Sequence, residues 1–190
     1  MRDAPADSDG DRMRRWVAGD GTAFEEIVRA WEVAIGRFVN RLTGDVHTAA
    51  DITQEVFLRV FRAGAKYQNG GQFQAWLYRI ALNLCRDAAR SKARKPAVSL
   101  TPAMDPLAVG DAECEQRETA EVVAAAVAGL PGHLREVVVL RHYEDMSFEA
   151  MGRLLGVPAT TLKSRFAVAM TQLEAVLIPR LGIEQQETHE

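Results

Sequence analysis

Cysteine is nearly missing from this chain. Cys85 and Cys114 are its only two, far apart and outside any CxxC pair or Cys/His cluster, so neither a disulfide framework nor a zinc site is indicated. Cys85 falls in an apolar helical stretch and reads as a small buried hydrophobe. His47, His133, His142 and His189 share no ligand spacing, so no metal is expected. Long apolar runs are lacking too, because charges interrupt every one well short of bilayer length. The opening Met1-Arg2-Asp3-Ala4-Pro5-Ala6-Asp7 is acidic with no apolar core behind it, so no signal peptide is expected and a cytoplasmic location is. There is no nucleophile–base pairing, phosphate-cradling glycine loop or carboxylate pair in a plausible cleft, which leaves an enzyme, a cofactor or a small-molecule substrate unsupported. No β-alternation and no internal repeat is found.

Positive charge is not in surplus either. The net charge of −3 by itself speaks against a nucleic-acid binder, but its distribution says more. Arg86, Arg90, Lys92, Arg94 and Lys95 crowd one stretch with only Asp87 against them, while acid gathers in residues 3–11, 105–118 and 184–190. Such a strip follows phosphates locally, or is simply a solvated helix end. With 47% hydrophobic and 26% charged residues, the 190-residue chain has an ordinary globular balance and room for one domain or two small ones.

What is present is helical periodicity. Phe24, Ile27, Val28, Trp31, Ile35, Phe38, Val39 and Leu42 step by threes and fours, predicting one amphipathic helix that ends near Gly44. Ile52, Val56 and Val60 with Phe57 and Phe61 form a second stripe, and Asp51-Ile52-Thr53 offers capping residues for its start. Residues 66–72 break the pattern, and the pair Gly70-Gly71 marks a loop. Phe73, Trp76, Leu77, Ile80, Ala81 and Leu84 restart it and lead into the basic strip. Of the two aromatics here that resemble wedges, Trp76 and Tyr78, Trp76 fits the core stripe and is expected to be buried. Residues 96–115, with Pro96, Pro102, Pro106 and Gly110, read as a flexible linker. A second helical set follows, through Val122, Val127, Leu130, Leu134, Val138, Met151 and Leu155 to Leu162, Phe166 and Leu173. The predicted fold is all-α: a helical bundle over 18–95 and a second small helical domain over 116–178. A disordered N-terminus over 1–17 and an acidic tail over 179–190 are expected to flank them.

Residues 147–166 have helix-turn-helix spacing. Gly152 is small where two helices approach, and Gly156 permits the left-handed backbone of a tight turn. Val157 and Leu162 are apolar plugs, and Pro158 suits the first turn of the second helix. Thr160, Thr161, Lys163, Ser164 and Arg165 are then displayed early in that helix, the part that enters a major groove. The bland alternative is an αα-hairpin that meets no DNA.

The chain here resembles a known family. Leu130-Pro131, then Leu134-Arg135-Glu136-Val137 and the helix-turn-helix, look like region four of extracytoplasmic-function sigma factors. Asp51-Ile52-Thr53-Gln54-Glu55-Val56-Phe57-Leu58-Arg59 resembles the polymerase-binding helix of their region two, and Phe73-Gln74-Ala75-Trp76-Leu77-Tyr78-Arg79-Ile80-Ala81-Leu82-Asn83 the promoter-melting helix. The resemblance implies that Asp51, Gln54, Glu55 and Arg59 grip core RNA polymerase. It also implies that the loop carrying Lys66, Tyr67, Gln68 and Asn69, with Asn83, holds a base flipped out of the minus-ten element. Arg79, Arg86 and Arg90 would follow the strand backbone, and Thr160, Thr161, Lys163, Ser164 and Arg165 would meet the minus-thirty-five element. An anti-sigma partner is implied as well.

Two departures stand out. After Lys163-Ser164-Arg165 the family carries more basic residues than Ala167-Val168-Ala169-Met170-Thr171-Gln172, so phosphate contacts there are few, or that face meets protein. In the loop, Tyr67-Gln68-Asn69-Gly70-Gly71 replaces a run more like Arg-Gly-Asp, which leaves the preferred base open. The competing reading is a helix-turn-helix regulator whose N-terminal bundle senses or dimerises. It has no use for a polymerase-gripping helix beside an aromatic and basic one.

Overall fold

The computed structural model describes residues 6–64, 73–94 and 114–181, with side chains from 9, 73 and 119 onward in the three stretches. Among the described residues the regular elements are eight α-helices and one π-helical turn, with no strand. The chain divides into two compact units, Met1–Ala103 and Met104–Glu190. The predicted linker falls largely outside the described residues, as does the tail from residue 182.

The first unit holds α1 (Ala6–Val17), α2 (Gly21–Thr43), α3 (Val46–Ala63) and α4 (Phe73–Arg94). Helix α2 starts where the Asp20 carboxylate accepts the Thr22 N–H at 3.0 Å; the Thr22 hydroxyl, donating to the same carboxylate at 2.6 Å, holds it below its ordinary range with help from Arg15. It ends at Gly44, whose φ of 67° is the left-handed conformation and whose N–H donates to the Asn40 carbonyl at 2.8 Å. Asp45 follows at once and accepts the Thr48 N–H at 2.7 Å, which starts α3. That corrects the expected start near Asp51: the cap nearest the glycine stop wins, and Asp51 lies inside the helix. Ile27, Ile35, Phe38, Val39, Val56, Val60, Leu77 and Ala81 fill the core between α2, α3 and α4. Burying each large apolar side chain there stabilises the fold by roughly 1.5–3 kcal/mol.

Two further expectations are corrected. The disordered N-terminus does not hold from Ala6 onward, because α1 forms and docks on α2 with Met13 fully buried. Its sequence is too charged to advertise this, and its order comes from tertiary contacts rather than from an apolar stripe. In α4, Trp76 is only half-buried, whereas Tyr78 is 2% exposed with its ring edge-on to Phe38 at 4.8 Å. Packing against both α2 and α3 widens the buried arc: Phe73, Leu77, Ala81 and Leu84 of the stripe stay buried, Tyr78, Leu82 and Cys85 join them, and Ile80 like Trp76 is only half-buried.

The second unit holds α5 (Cys114–Gly129), α6 (Gly132–Val138), a π-helical turn (Val139–Tyr143), α7 (Phe148–Leu155) and α8 (Ala159–Leu181). Helices α5, α6 and α7 all pack on α8 around Leu134, Val137, Val138, Leu140, Met151, Leu162, Ala169 and Leu173. Arg135 stitches the start of this bundle, its guanidinium donating to the carbonyls of Ala128 and, at 3.0 Å, Leu130 where α5 ends. Burial lowers the pKa of that guanidinium from its ordinary value. The π turn has an i→i+5 bond from the Glu144 N–H to the Val139 carbonyl at 3.2 Å, and Arg141 donates to the Met146 carbonyl at 3.2 Å, which sets the entry to α7.

Candidate nucleic-acid and protein interfaces

On α3, Asp51, Gln54 and Arg59 are exposed and Glu55 is half-buried, all turned away from Ile52, Val56 and Val60. Arg59 Nε donates to Glu55 Oε1 at 3.0 Å, a surface pair worth about 0.3–0.5 kcal/mol. Its use is to order two polar ends on one face. Sequence reasoning missed the apolar part of this surface. Leu58 is 48% exposed, and Phe61, assigned above to the inner stripe, is 50% exposed. The step of seven from Asp51 to Leu58 is the signal that would have found the first.

On α4, Arg79, Asn83 and Arg90 are exposed and Arg86 is half-buried. At 3.6 residues per turn these four positions fall within an arc of about 60°, so they form one ridge along the helix. Arg90 pairs with Asp87, the lone acid of the strip. The ridge is a line of cations with a single amide in it, suited to a phosphate backbone with one base edge presented. Lys66, Tyr67, Gln68 and Asn69, the loop half of the expected site, lie outside the described residues.

The helix-turn-helix is built from two glycines with different tasks. Gly156 takes φ 69° and ends α7, its N–H donating to the Gly152 carbonyl at 2.9 Å. Gly152 lies under the turn itself, where a Cβ would stand 3.0 Å from the Val157 carbonyl oxygen. The close approach is thus to the turn's backbone. Ser147 caps α7 by accepting the Ala150 N–H at 3.2 Å, and Leu162 is fully buried behind the turn with Val157 half-buried beside it. Of the expected contact residues, Thr160, Thr161, Lys163 and Ser164 are exposed at the start of α8, while Arg165 is half-buried. Helical geometry groups Thr160, Lys163 and Ser164 on one outward face, with Thr161 on its flank and Arg165 turned toward the bundle. The same face continues through Ala167, Val168 and Thr171, all exposed.

Phe148, the first residue of α7, was not singled out as a site residue. Its ring lies 5.9 Å from Lys163 Nζ, 5.5 Å from the Arg141 guanidinium carbon and 5.9 Å from the Phe166 ring. It therefore ties the π turn and the start of α8 together, and brings Arg141 into the same neighbourhood. Spacing alone hides this, because Arg141 is 22 residues from Lys163 in sequence. Among the described residues no group of His, Cys, Asp and Glu could hold a metal ion, and no helix is long and apolar enough to cross a membrane.

Sequence profiles of two regions match this chain: Sigma-70 region 2 over residues 27–95 and Sigma-70, region 4 over residues 120–173. The ECF RNA polymerase sigma factor SigW of Bacillus subtilis is 30% identical over 167 residues, covering 81% of this chain and 88% of that protein. The chain belongs to the ECF RNA polymerase sigma factors. SigE of Mycolicibacterium smegmatis, another of them, is 36% identical over 168 residues, spanning 85% of this chain and 65% of that protein's length. Among solved structures, the Bartonella quintana sigma factor RpoE, determined with the anti-sigma factor NepR, matches with a TM-score of 0.67 at 21% identity, over 81% of this chain and 96% of that one. That is a likeness of fold. As an alternative sigma factor, this protein joins core RNA polymerase and directs it to promoter DNA to begin transcription. The region 2 match disfavours the reading as a plain helix-turn-helix regulator. Sigma factors are initiation factors without enzymatic activity, which is the class of protein this is.

Proposed function

We propose a division of labour among three helices of this sigma factor. The outward face of α3, with Asp51, Gln54, Glu55 and Arg59 around the exposed Leu58, grips core polymerase. The α4 ridge of Arg79, Asn83, Arg86 and Arg90 meets the melted minus-ten strand, Asn83 reading one unstacked base and the arginines following phosphates, with Lys66, Tyr67, Gln68 and Asn69 completing the pocket. The α8 face of Thr160, Lys163 and Ser164, flanked by Thr161 and Arg165, meets the minus-thirty-five element in duplex form. The observation that carries this is the α4 ridge: one amide among cations on a single exposed arc. On this reading residues 18–95 act as region two and 116–178 as region four, joined by the linker over 96–115. The protein performs no chemistry of its own and works in the cytoplasm.

An anti-sigma protein completes the proposal. Supporting it are the apolar positions exposed on both units, Leu58 and Phe61 on α3 and Val168 and Val176 on α8, and the fold shared with a sigma factor solved beside its anti-sigma factor. Such a partner would cover the polymerase-gripping face. The experiment is transcription by core polymerase on promoters carrying all four bases at each minus-ten position, with native protein and Asn83→Ala. A preference lost at one position supports the assignment, and an unchanged preference at every position removes it.

A further inference from the structure

We propose that α1 is a brace for minus-ten recognition, fixing the end of α3 and the start of α4. The inference rests on the reading above that the α4 ridge around Asn83 meets the minus-ten strand. Three residues of α1, Asp9, Met13 and Trp16, stand at i, i+4 and i+7 and so share one face. Met13 in the middle is fully buried and acts as the anchor. The outer two reach the end of α3 and, through α2, the start of α4.

Trp16 takes the first end. Its indole lies on Gly64, which caps the end of α3, so closely that a methyl group added to Gly64 would run into the indole nitrogen. The ring is held there by Phe61 at 4.7 Å and Phe24 at 5.1 Å, which themselves meet at 5.3 Å. Gly64 has a right-handed helical backbone, φ −52° and ψ −44°, so no turn conformation demands glycine there. The small residue is required by the tryptophan.

Asp9 takes the other end, through Trp31 of α2. Its carboxylate is 5% exposed, accepting the Trp31 Nε1–H at 3.1 Å and an Arg12 N–H at 2.7 Å. The Trp31 ring meets Phe73, the first residue of α4, at 6.2 Å and stands edge-on to Tyr78 at 6.3 Å. Phe73 in turn touches Trp76 at 5.9 Å, one turn before the Arg79–Asn83 stretch. A buried carboxylate is a costly way to dock a helix, since an apolar side chain would be cheaper at the same place. What the carboxylate adds is a directional bond that fixes the tilt of one indole, and with it the seat of Phe73. Arg12 and Arg15 close the helix down from outside by pairing with Glu26 of α2, at 3.5 and 3.1 Å.

The test uses full-length protein in holoenzyme with core polymerase. Trp31→Phe keeps a ring but removes the N–H, Asp9→Leu removes the acceptor, Asp9→Asn keeps an acceptor for the indole, and Gly64→Ala dislodges Trp16. Core affinity is measured alongside open-complex formation and base preference on the minus-ten panel, with Asn83→Ala as reference. The expected result is a several-fold loss of open complexes and a flattened preference for Trp31→Phe, Asp9→Leu and Gly64→Ala, with core affinity unchanged and Asp9→Asn close to native. If Gly64→Ala also disturbs folding, Trp31→Phe carries the same test. Brace variants that match native protein while Asn83→Ala alters the preference would overturn the brace and leave the minus-ten reading standing. If Asn83→Ala changes nothing either, the minus-ten reading has failed and takes the brace with it.

Discussion

Lys163 and Phe148 meet across the helix-turn-helix, the ammonium nitrogen 5.9 Å from the ring centroid, so the first residue of α7 orients the one lysine at the head of α8. Arg141 stands over the same ring at 5.5 Å. A cation over an aromatic face at a half-exposed site contributes about 0.5–1 kcal/mol. Phe148→Leu keeps apolar bulk and removes that attraction. It is expected to weaken transcription from promoters with a minus-thirty-five element by a few-fold, with no effect on core affinity. An unchanged dependence on the upstream element would show that Lys163 finds its own orientation.

Asn83→Ala is expected to lose about 1–3 kcal/mol of discrimination at a single minus-ten position, the scale of one base-edge contact. Core affinity should survive, because the residues proposed to grip polymerase lie on α3 and not on α4. Loss of core affinity in this variant would instead assign Asn83 a folding role.

The free protein is expected to bind promoter duplex poorly at physiological salt. Its net charge is −3, and the outward face of α8 turns neutral after Ser164, through Ala167, Val168 and Thr171. Each phosphate contact missing there removes about 0.9 from the salt slope of B-DNA binding, so upstream binding should be weak and unusually tolerant of salt. A steep slope in a titration of free protein would contradict this.

Acid should release α1 before the core melts. Hydrogen bonds from Thr22 and Arg15 hold the Asp20 carboxyl below its ordinary range, and one from Arg15 does the same for Glu26. Depressed folded-state values mean that their contribution is complete above the ordinary carboxylate range, near about 4, and is lost as pH falls through the lower folded values. Tryptophan fluorescence, from Trp16 on α1 and Trp31 beneath it, should therefore change on acidification below about pH 4 while far-ultraviolet circular dichroism still reports α2 to α4. A single coincident transition would mean that α1 is not a separable element.

How much of this was legible in the sequence depends on how local the cause was. Gly44 and Gly156 announced their helix ends, and Thr160, Thr161, Lys163 and Ser164 their exposure, because caps and turns act over a few residues. Asp45 was passed over for Asp51 since both are good capping residues, and only the position of the preceding glycine stop separates them. Tyr78 outranked Trp76 for burial because α4 packs between two helices, a wider arc than any one stripe reveals. Helix α1 was invisible for the same reason: Asp9, Met13 and Trp16 make a docking face only when Trp31, Phe61 and Gly64 are in place to receive it. The Arg141–Phe148–Lys163 contact needed the fold as well.

On the proposed division of labour this chain acts as a sigma subunit through α3 and α4. The most direct measurement is transcription by purified core polymerase on a promoter matched to the chain, with native protein and with Gln54→Ala and Asn83→Ala. A promoter-specific transcript is expected only when the chain is present, lost with core affinity in Gln54→Ala and altered in base preference in Asn83→Ala. Tight duplex binding by the free chain, with neither core binding nor a transcript, would contradict it and return the protein to the ordinary helix-turn-helix regulators.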